Sequence, residues 1–174
     1  MLTVLLIAAT AVLILMDQFT KVWAVTQLHQ ADRIIPVIDG VFEFRYLENH
    51  GAAFGILQNE LWLLIPITVL IGGVILVMLI RSPLRRHPMF YIPSILIFAG
   101  AVGNLIDRIA YGYVVDFLYF KLIDFPIFNF ADCCVVIGAI LAFIFFLFIF
   151  KDDDMPLRTI IFGIEKKQKE QNDG

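Results

Sequence analysis

Four apolar runs, each long enough to cross a lipid bilayer, take up most of the sequence. A membrane-spanning helix needs about 20 mainly apolar residues to cross the hydrocarbon core. The hydrophobic share of 60% and the mean hydropathy of +0.87 point the same way. The sequence therefore predicts an all-α integral membrane protein that forms a single domain over residues 1–174. Its expected spans are about Leu2–Val25, Leu61–Ile80, Met89–Ile106 and Ile127–Phe150.

The distribution of Lys and Arg predicts the orientation of these spans. With four spans, both termini and the connection between spans two and three share one side. That connection contains Arg81, Arg85 and Arg86, and the tail at 151–174 adds further basic residues. The positive-inside rule then places this side in the cytoplasm, although several basic residues fall on the opposite side. The opposing residues are Lys21, Arg33, Arg45, Arg108 and Lys121.

The two extracytoplasmic connections differ in character. Between spans one and two, Asp39-Gly40 separates the β-prone runs Ile34–Ile38 and Val41–Tyr46, and this pattern is typical of a hairpin. We expect a small extracytoplasmic β-hairpin or sheet at about residues 30–57, lying on the membrane surface. The second connection, Ala110–Pro126, is short and aromatic, which suits the lipid headgroup zone.

Ionisable and amide side chains collect at the predicted extracytoplasmic ends of the spans. A carboxylate at bilayer depth costs roughly 2.5–3.5 kcal/mol on insertion scales, so its presence indicates a function. Asp17 and Lys21 are four residues apart and share a helix face. Taken alone, this pair favours interfacial snorkelling of the lysine with the aspartate as its counter-ion.

Two further pairs have a spacing of three residues, which places both members on one helix face. Asn104 and Asp107 close span three, followed by Arg108, which can neutralise a carboxylate or bind a phosphate headgroup. Asn129 and Asp132 open span four. A fourth motif, Asn49–Gly55, contains small residues that let a backbone approach a ligand closely, with Asn49 as a side-chain clamp.

Three acids, Asp107, Asp116 and Asp132, could therefore meet at one site. Two carboxylates in a partly dry site do not both ionise easily, so one holds a proton while the other acts as a base. Such a pair activates water against a peptide carbonyl. Spacing alone does not decide which two of the three acids form the pair.

Other functions fit the residues less well. A small proton- or ion-coupled transporter that uses the same acids as a relay is the main alternative, but the inner halves of spans two and four lack ionisable residues. The histidines have no zinc-ligand spacing, so neither a metal nor another cofactor is expected. Cys133 and Cys134 are adjacent in span four and are interpreted as small apolar residues. The net charge of −3 argues against nucleic acid as a partner.

Five motifs in this order across four spans resemble the bacterial lipoprotein signal peptidase family, also called signal peptidase II. They are Asp17–Lys21, Asn49–Gly55, Gly103–Arg108, Val114–Phe117 and Phe125–Asp132.

This resemblance implies an aspartic endopeptidase of the bacterial cytoplasmic (inner) membrane with its active site at the extracytoplasmic face. It implies that Asp116 and Asp132 are catalytic. It also implies that the substrates are diacylglyceryl-modified prolipoproteins, cleaved before the lipidated cysteine, and that the enzyme is sensitive to globomycin. Membrane lipids would surround the site. The remaining matched positions would support the substrate site: Asp17, Lys21, Asn49, Gly51, Asn104, Asp107, Arg108 and Asn129.

Overall fold

The protein is described here by a computed structural model that covers residues 2–29, 33–51, 57–81 and 88–148. The predicted cytoplasmic tail at 151–174 lies outside the described residues. Four long helices and one small sheet form the described part of the chain. The helices are α1 (Leu2–Ala24), α2 (Leu61–Arg81), α3 (Pro88–Tyr111) and α4 (Phe130–Phe148), and the strands are β1 (Ile35–Ile38), β2 (Phe42–Asn49) and β3 (Val114–Tyr119).

The predicted fold class, an all-α membrane protein with a small sheet, is confirmed. All four helices are long and apolar enough to cross a membrane. Their apolar side chains also point outward: Val4 is 70% exposed and Phe19 is 74% exposed. Large apolar groups in these positions would be costly in water, whereas lipid accommodates them.

Close packing between α3 and α4 depends on residues without side chains. A Cβ atom added at Gly100 would lie 2.4 Å from the carbonyl oxygen of Ala131, and one at Gly138 would lie 2.7 Å from Ile97 Cγ1. Small residues at such positions let two membrane helices approach closely. The approach brings the end of α3 beside the start of α4, where the polar residues lie.

The sheet extends the predicted hairpin by one strand. Strands β1 and β2 pair antiparallel, with Ile35 opposite Phe44, and Gly40 turns the chain with φ of +71°. Strand β3 then pairs antiparallel with β2, with Asp116 opposite Leu47. The aromatic connection at 110–126 was expected only as a headgroup-zone segment, so this third strand was not predicted from the sequence.

Strand β3 is held by burial against the end of α1. Val115 and Phe117 pack with Ala24 and Leu28 in a core beneath the sheet, and all four are at most 4% exposed. Alternate residues of a strand point to opposite faces, so Asp116 faces away from this core. A π-helical turn at Val25–His29 continues α1 and supplies Leu28.

Two helix ends differ from the expected spans. Helix α3 continues to Tyr111, five residues beyond the predicted end at Ile106, so Asp107 and Arg108 lie within the helix. Helix α4 begins at Phe130 rather than Ile127 because Phe128 pairs with β3 instead. The N–H groups of Leu118 and Phe128 each donate to the other residue's carbonyl oxygen, at 2.8 and 3.0 Å.

Candidate active site

Asp116 of β3 and Asp132 of α4 are joined by one residue, Asn129, which is fully buried. Asn129 Nδ2 donates to Asp116 Oδ1 at 2.6 Å. The backbone N–H of Asn129 donates to Asp132 Oδ2, and Asn129 Oδ1 accepts from the backbone N–H of Asp132, both at 3.0 Å. This reciprocal pair is a capping box at the start of α4. The helix terminus therefore fixes both acids relative to each other.

Each carboxylate accepts a second hydrogen bond from an asparagine of another element. Asn49, at the end of β2, donates from Nδ2 to Asp116 Oδ2 at 2.9 Å. Asn104 of α3 donates from Nδ2 to Asp132 Oδ1 at 2.8 Å. Three asparagines from three parts of the chain thus direct N–H groups at the two acids. Such donors hold carboxyl groups in a defined orientation.

The environment of Asp116 favours its protonated form. The residue is almost fully buried, with only 1% of its surface exposed. Burial, and next the nearby charge of Asp132, raise the pKa of Asp116 to about 7, while the hydrogen bonds from Asn49 and Asn129 act in the opposite direction. Desolvation penalises a charged carboxylate, and a second acid nearby adds to that penalty. Asp132 is half-buried and lies in the first turn of α4.

Arg108 connects α3 to the segment that follows β2. Its Nη2 donates to the carbonyl oxygen of Gly51 at 2.9 Å. The backbone N–H of Gly51 in turn donates to Asn49 Oδ1 at 2.9 Å, so the turn orients the asparagine that contacts Asp116. Arg108 Nε is buried and has no hydrogen-bond partner among the described residues. The rest of the predicted motif, residues 52–55, lies outside the described residues.

Asp17 and Lys21 form a buried cluster with Asp107, so the interpretation as a snorkelling pair was wrong. Lys21 is 3% exposed, and its Nζ lies 2.9 Å from both Asp17 Oδ2 and Asp107 Oδ2. Asp17 Oδ1 also accepts from the backbone N–H of Ala131 at 3.0 Å, and Asp107 Oδ2 accepts from that of Val115 at 3.1 Å. The cluster therefore joins α1, α3, α4 and β3 beneath the two acids.

The cluster also decides the partner of Asp107. Arg108, adjacent in sequence, was a candidate to neutralise a carboxylate, but Asp107 pairs with Lys21. Gln18 lies within the Asp17–Lys21 motif, but no role was predicted for it. Its Nε2 donates to Asp17 Oδ2 and Asp107 Oδ1, both at 3.1 Å, and to the carbonyl oxygen of Gly103 at 3.3 Å. Its only sequence signal is a polar amide beside Asp17 inside an apolar run.

The two described histidines, His29 and His50, have Tyr46 and Glu48 as neighbours rather than Asp116 or Asp132. The ring of His29 is 4.4 Å from that of Tyr46, and His50 Nε2 is 3.8 Å from Glu48 Oε2. Within the described ranges, no group of three or more His, Cys, Asp or Glu residues has a geometry that could hold a metal ion. Cys133 and Cys134 are both free thiols. The polar groups brought together are therefore carboxyl, amide, ammonium and guanidinium groups.

Comparison with known sequences finds a matching family and similar proteins from bacteria. A family model described as "Signal peptidase (SPase) II" matches residues 9–148. A lipoprotein signal peptidase of Clostridium tetani is 44% identical over 151 residues, which cover 84% of this chain and 93% of that protein. One from Symbiobacterium thermophilum is 44% identical over 140 residues, which cover 79% and 91%.

Comparison with solved structures agrees. A bacterial membrane enzyme solved by the in meso method at 2.3 Å resolution superposes with a TM-score of 0.76 at 31% identity, over 87% of this chain and 92% of that one. A second, solved by the same method at 1.9 Å, gives a TM-score of 0.72 at 32% identity, over 82% and 92%. The fold of this chain is therefore similar to that of solved bacterial membrane enzymes.

Proposed function

The chain belongs to the signal peptidase II family and is a peptidase, a hydrolase, and on that premise we propose that Asp116 and Asp132 are its catalytic pair. The observation that carries this proposal is the geometry around Asn129, which contacts both acids and places one beside the N-terminus of α4. Asp116 is buried and Asp132 is half-buried, so the two carboxyl groups lie in different environments. In such a pair one group can act as the acid and the other as the base.

The proposed division follows from burial. Asp116 is the deeply buried acid and is assigned the proton, while Asp132 is half-buried and is assigned the role of base. Asp132 accepts a proton from water as the water oxygen bonds to the scissile carbonyl carbon. Asp116 donates its proton to the carbonyl oxygen, and a gem-diol intermediate forms.

Collapse of this intermediate returns both acids to their starting states. Asp132 gives its proton to the departing amide nitrogen as the C–N bond breaks. Asp116 recovers its proton from the hydroxyl group as the carbonyl re-forms. The products are a carboxylic acid and a free amine, and every proton is accounted for. No metal ion or other cofactor takes part in this sequence.

The other polar residues support this chemistry in two ways. Asn49, Gly51, Asn104, Arg108 and Asn129 shape the substrate site, since each is in hydrogen-bonding contact with an acid or with the segment beside it. The buried cluster beneath them holds the helices in register. Its residues are Asp17, Lys21 and Asp107.

The proposed substrates are diacylglyceryl-modified prolipoproteins, cleaved before the lipidated cysteine. The relatives are named lipoprotein signal peptidases, which supports this substrate class. A membrane-embedded signal helix and two acyl chains would remain in the bilayer while the scissile bond meets the acids at one end of the helices. Lateral delivery supplies orientation without a deep water-filled pocket. Surrounding membrane lipids and globomycin-type inhibitors are the other proposed ligands.

The proposed location is the bacterial cytoplasmic membrane, with both termini in the cytoplasm and the acids at the extracytoplasmic face. The basic residues between spans two and three support this orientation. A single domain over residues 1–174 remains part of the proposal. The transporter alternative is not favoured, since the family is a peptidase family.

The test is cleavage of a diacylglyceryl-modified prolipoprotein in detergent by the purified enzyme. We expect Asp116→Asn and Asp132→Asn each to abolish turnover while the protein remains folded. Asp39→Asn, an exposed aspartate in the turn between β1 and β2, is the matched control and should keep wild-type activity. Near-normal turnover by either active-site variant would overturn the assignment.

A chelator experiment addresses metal chemistry independently. Activity should persist in EDTA, because the proposed steps use only side-chain protons and water. Loss of activity in EDTA that zinc restores would refute this mechanism.

A further inference from the structure

Lys21 has three neighbours at hydrogen-bonding distance, and one of them belongs to the active site. Its Nζ lies 2.9 Å from Asp17 Oδ2, Asp107 Oδ2 and Asn104 Oδ1. An ammonium group has three N–H donors and no acceptor, so these contacts use all of them. The two carboxylates more than offset the single positive charge of Lys21. The contact with Asn104 is not needed for charge balance and calls for another explanation.

The contact fixes which end of the Asn104 amide faces which neighbour. Lys21 only donates, so the amide atom beside it must be the oxygen. The amide nitrogen must then point at Asp132 Oδ1, to which it donates at 2.8 Å. A rotation of the amide by half a turn would direct NH₂ at the ammonium and the carbonyl oxygen at the carboxylate, and both new contacts would be repulsive.

Asn129 is a weaker determinant of this orientation. Its Nδ2 also approaches Asn104 Oδ1, at 3.1 Å, but the same nitrogen makes the shorter bond of 2.6 Å to Asp116. Its own orientation is set separately, because Asn129 Oδ1 accepts from the backbone N–H of Asp132. The charged donor of Lys21 is therefore the stronger restraint on Asn104.

We propose that Lys21 is a positioning residue for the catalytic step: by fixing the orientation of the Asn104 amide, it directs an N–H donor at Asp132 Oδ1. This inference rests on the proposed catalytic role of Asp132. The donor holds the carboxylate in the orientation needed to accept the proton of water. Among the described residues, Lys21 makes no hydrogen bond with either acid of the pair and orients Asp132 through Asn104.

Two neutral replacements of Lys21 separate this role from simple tethering of the helices. Both are made with Asp107→Asn, so that the buried cluster keeps one net negative charge, as in the unaltered chain. Lys21→Gln then offers an amide N–H toward Asn104, whereas Lys21→Met fills similar space and offers none. Both lose the same ion pairs, so a tethering role predicts equal activity for the two proteins.

The measurement is kcat and KM for a diacylglyceryl-modified prolipoprotein, with thermal midpoints in detergent as the control for folding. We expect kcat to be about 10-fold or more lower for the methionine protein than for the glutamine protein, with KM within about threefold, because a donor to a charged group is lost. Equal kcat values at equal stability would overturn the proposal.

A second variant tests the same step with Asp17, Lys21 and Asp107 all retained. Asn104→Asp keeps an oxygen acceptor for Lys21 but has no N–H to donate to Asp132. We expect kcat to fall by about 10-fold or more, and kcat close to that of the unaltered enzyme would refute the proposal. Activity in Asp116→Asn or Asp132→Asn would instead disprove the proposed function itself. If Asp116→Asn and Asp132→Asn are both inactive, but the Lys21→Gln and Lys21→Met proteins have equal kcat, only the role of Lys21 is disproved.

Discussion

Asn129 Nδ2 lies 2.6 Å from Asp116 Oδ1, and this hydrogen bond joins the start of α4 to the middle of β3. The same residue caps α4 and faces the backbone N–H of Asp132. One buried amide therefore couples the position of one acid to the helix that contains the other. Substitutions of Asn129 should therefore show separately how much it contributes to the stability of α4 and how much to the catalytic rate.

We expect Asn129→Ser to lower kcat by about 10–100-fold while the thermal midpoint changes little. Serine is a good helix cap, but its hydroxyl is too short to reach Asp116. The lost hydrogen bond stabilises the carboxylate that Asp116 becomes when it gives up its proton, and hydrogen bonds to charged groups contribute about 1.5–3 kcal/mol. Asn129→Ala should lower kcat similarly and also destabilise the protein by about 1 kcal/mol through loss of the cap. Peptidase assays and thermal denaturation of both variants make the comparison. A wild-type kcat in the Asn129→Ser variant would contradict the proposed contribution of this hydrogen bond to catalysis.

The pH dependence of kcat/KM should show loss of activity above about pH 7. Burial and then the charge of Asp132 raise the pKa of Asp116 to about 7, so Asp116 loses its proton as the pH rises through that value. The carbonyl oxygen then has no proton donor, and the rate falls on the alkaline side. A rate that stays constant from pH 6 to pH 9 would exclude Asp116 as the protonated member of the pair.

Asn49→Ala should move this alkaline limb to higher pH. Asn49 Nδ2 donates to Asp116 Oδ2, and this hydrogen bond lowers the pKa of Asp116. Its removal therefore raises the pKa, and the proton is retained to higher pH. The profile of the variant is compared with that of the unaltered enzyme in the same detergent. A shift toward lower pH would reverse the expected sign and argue against this contact.

Gly103→Ala should destabilise the protein by about 1–3 kcal/mol, as overpacking does in other cores. A Cβ at this position would lie 2.5 Å from Asp17 Oδ2, which is held on its other side by Lys21. Gly73→Ala is the matched control, since nothing lies within 4 Å of its added Cβ and alanine favours a helix. Thermal midpoints should fall for the first variant and stay level or rise for the second. Equal midpoints would show that Asp17 moves without cost.

Cysteine labelling tests the proposed orientation. Asp39→Cys lies in the exposed turn of the sheet and should react with a membrane-impermeant thiol reagent applied to intact cells. Arg85→Cys should react only after the membrane is permeabilised, because the positive-inside rule places this connection in the cytoplasm. The unaltered chain, with its two native thiols, provides the background signal. Labelling of both variants in intact cells would contradict the orientation.

Much of the architecture could be read from local pattern. The four spans and the hairpin at Asp39-Gly40 were predicted because hydrophobic length and turn residues act over short distances. Strand β3 was not predicted, since Val114–Tyr119 becomes a strand only by pairing with β2 and packing on the end of α1. The start of α4 was misplaced for the same reason, because Phe128 pairs with Leu118.

The residues of the candidate site were named from the sequence, but their partners were not. Spacing on a helix placed Asn129 and Asp132 on one face, and they form a capping box. Spacing also suggested that Lys21 serves Asp17 alone at the membrane surface, and here it failed. Lys21 turns inward because Asp107, 86 positions along the chain, provides a second carboxylate. Gln18 was overlooked because its three acceptors meet only in the folded chain.

The sequence was sufficient to predict four membrane spans and to place Asp17, Asp107, Asp116 and Asp132 near one set of span ends. Hydrophobic length predicts the spans, and the order of the four spans puts these four span ends and connections on the same side. The contacts themselves are seen only in the folded chain, where Asp116 and Asp132 share Asn129 while Asp107 pairs with Lys21. Those contacts depend on glycines that let α3 approach α1 and α4, and on a strand formed by long-range pairing. Distances between elements far apart in sequence are set by packing, which no local pattern encodes.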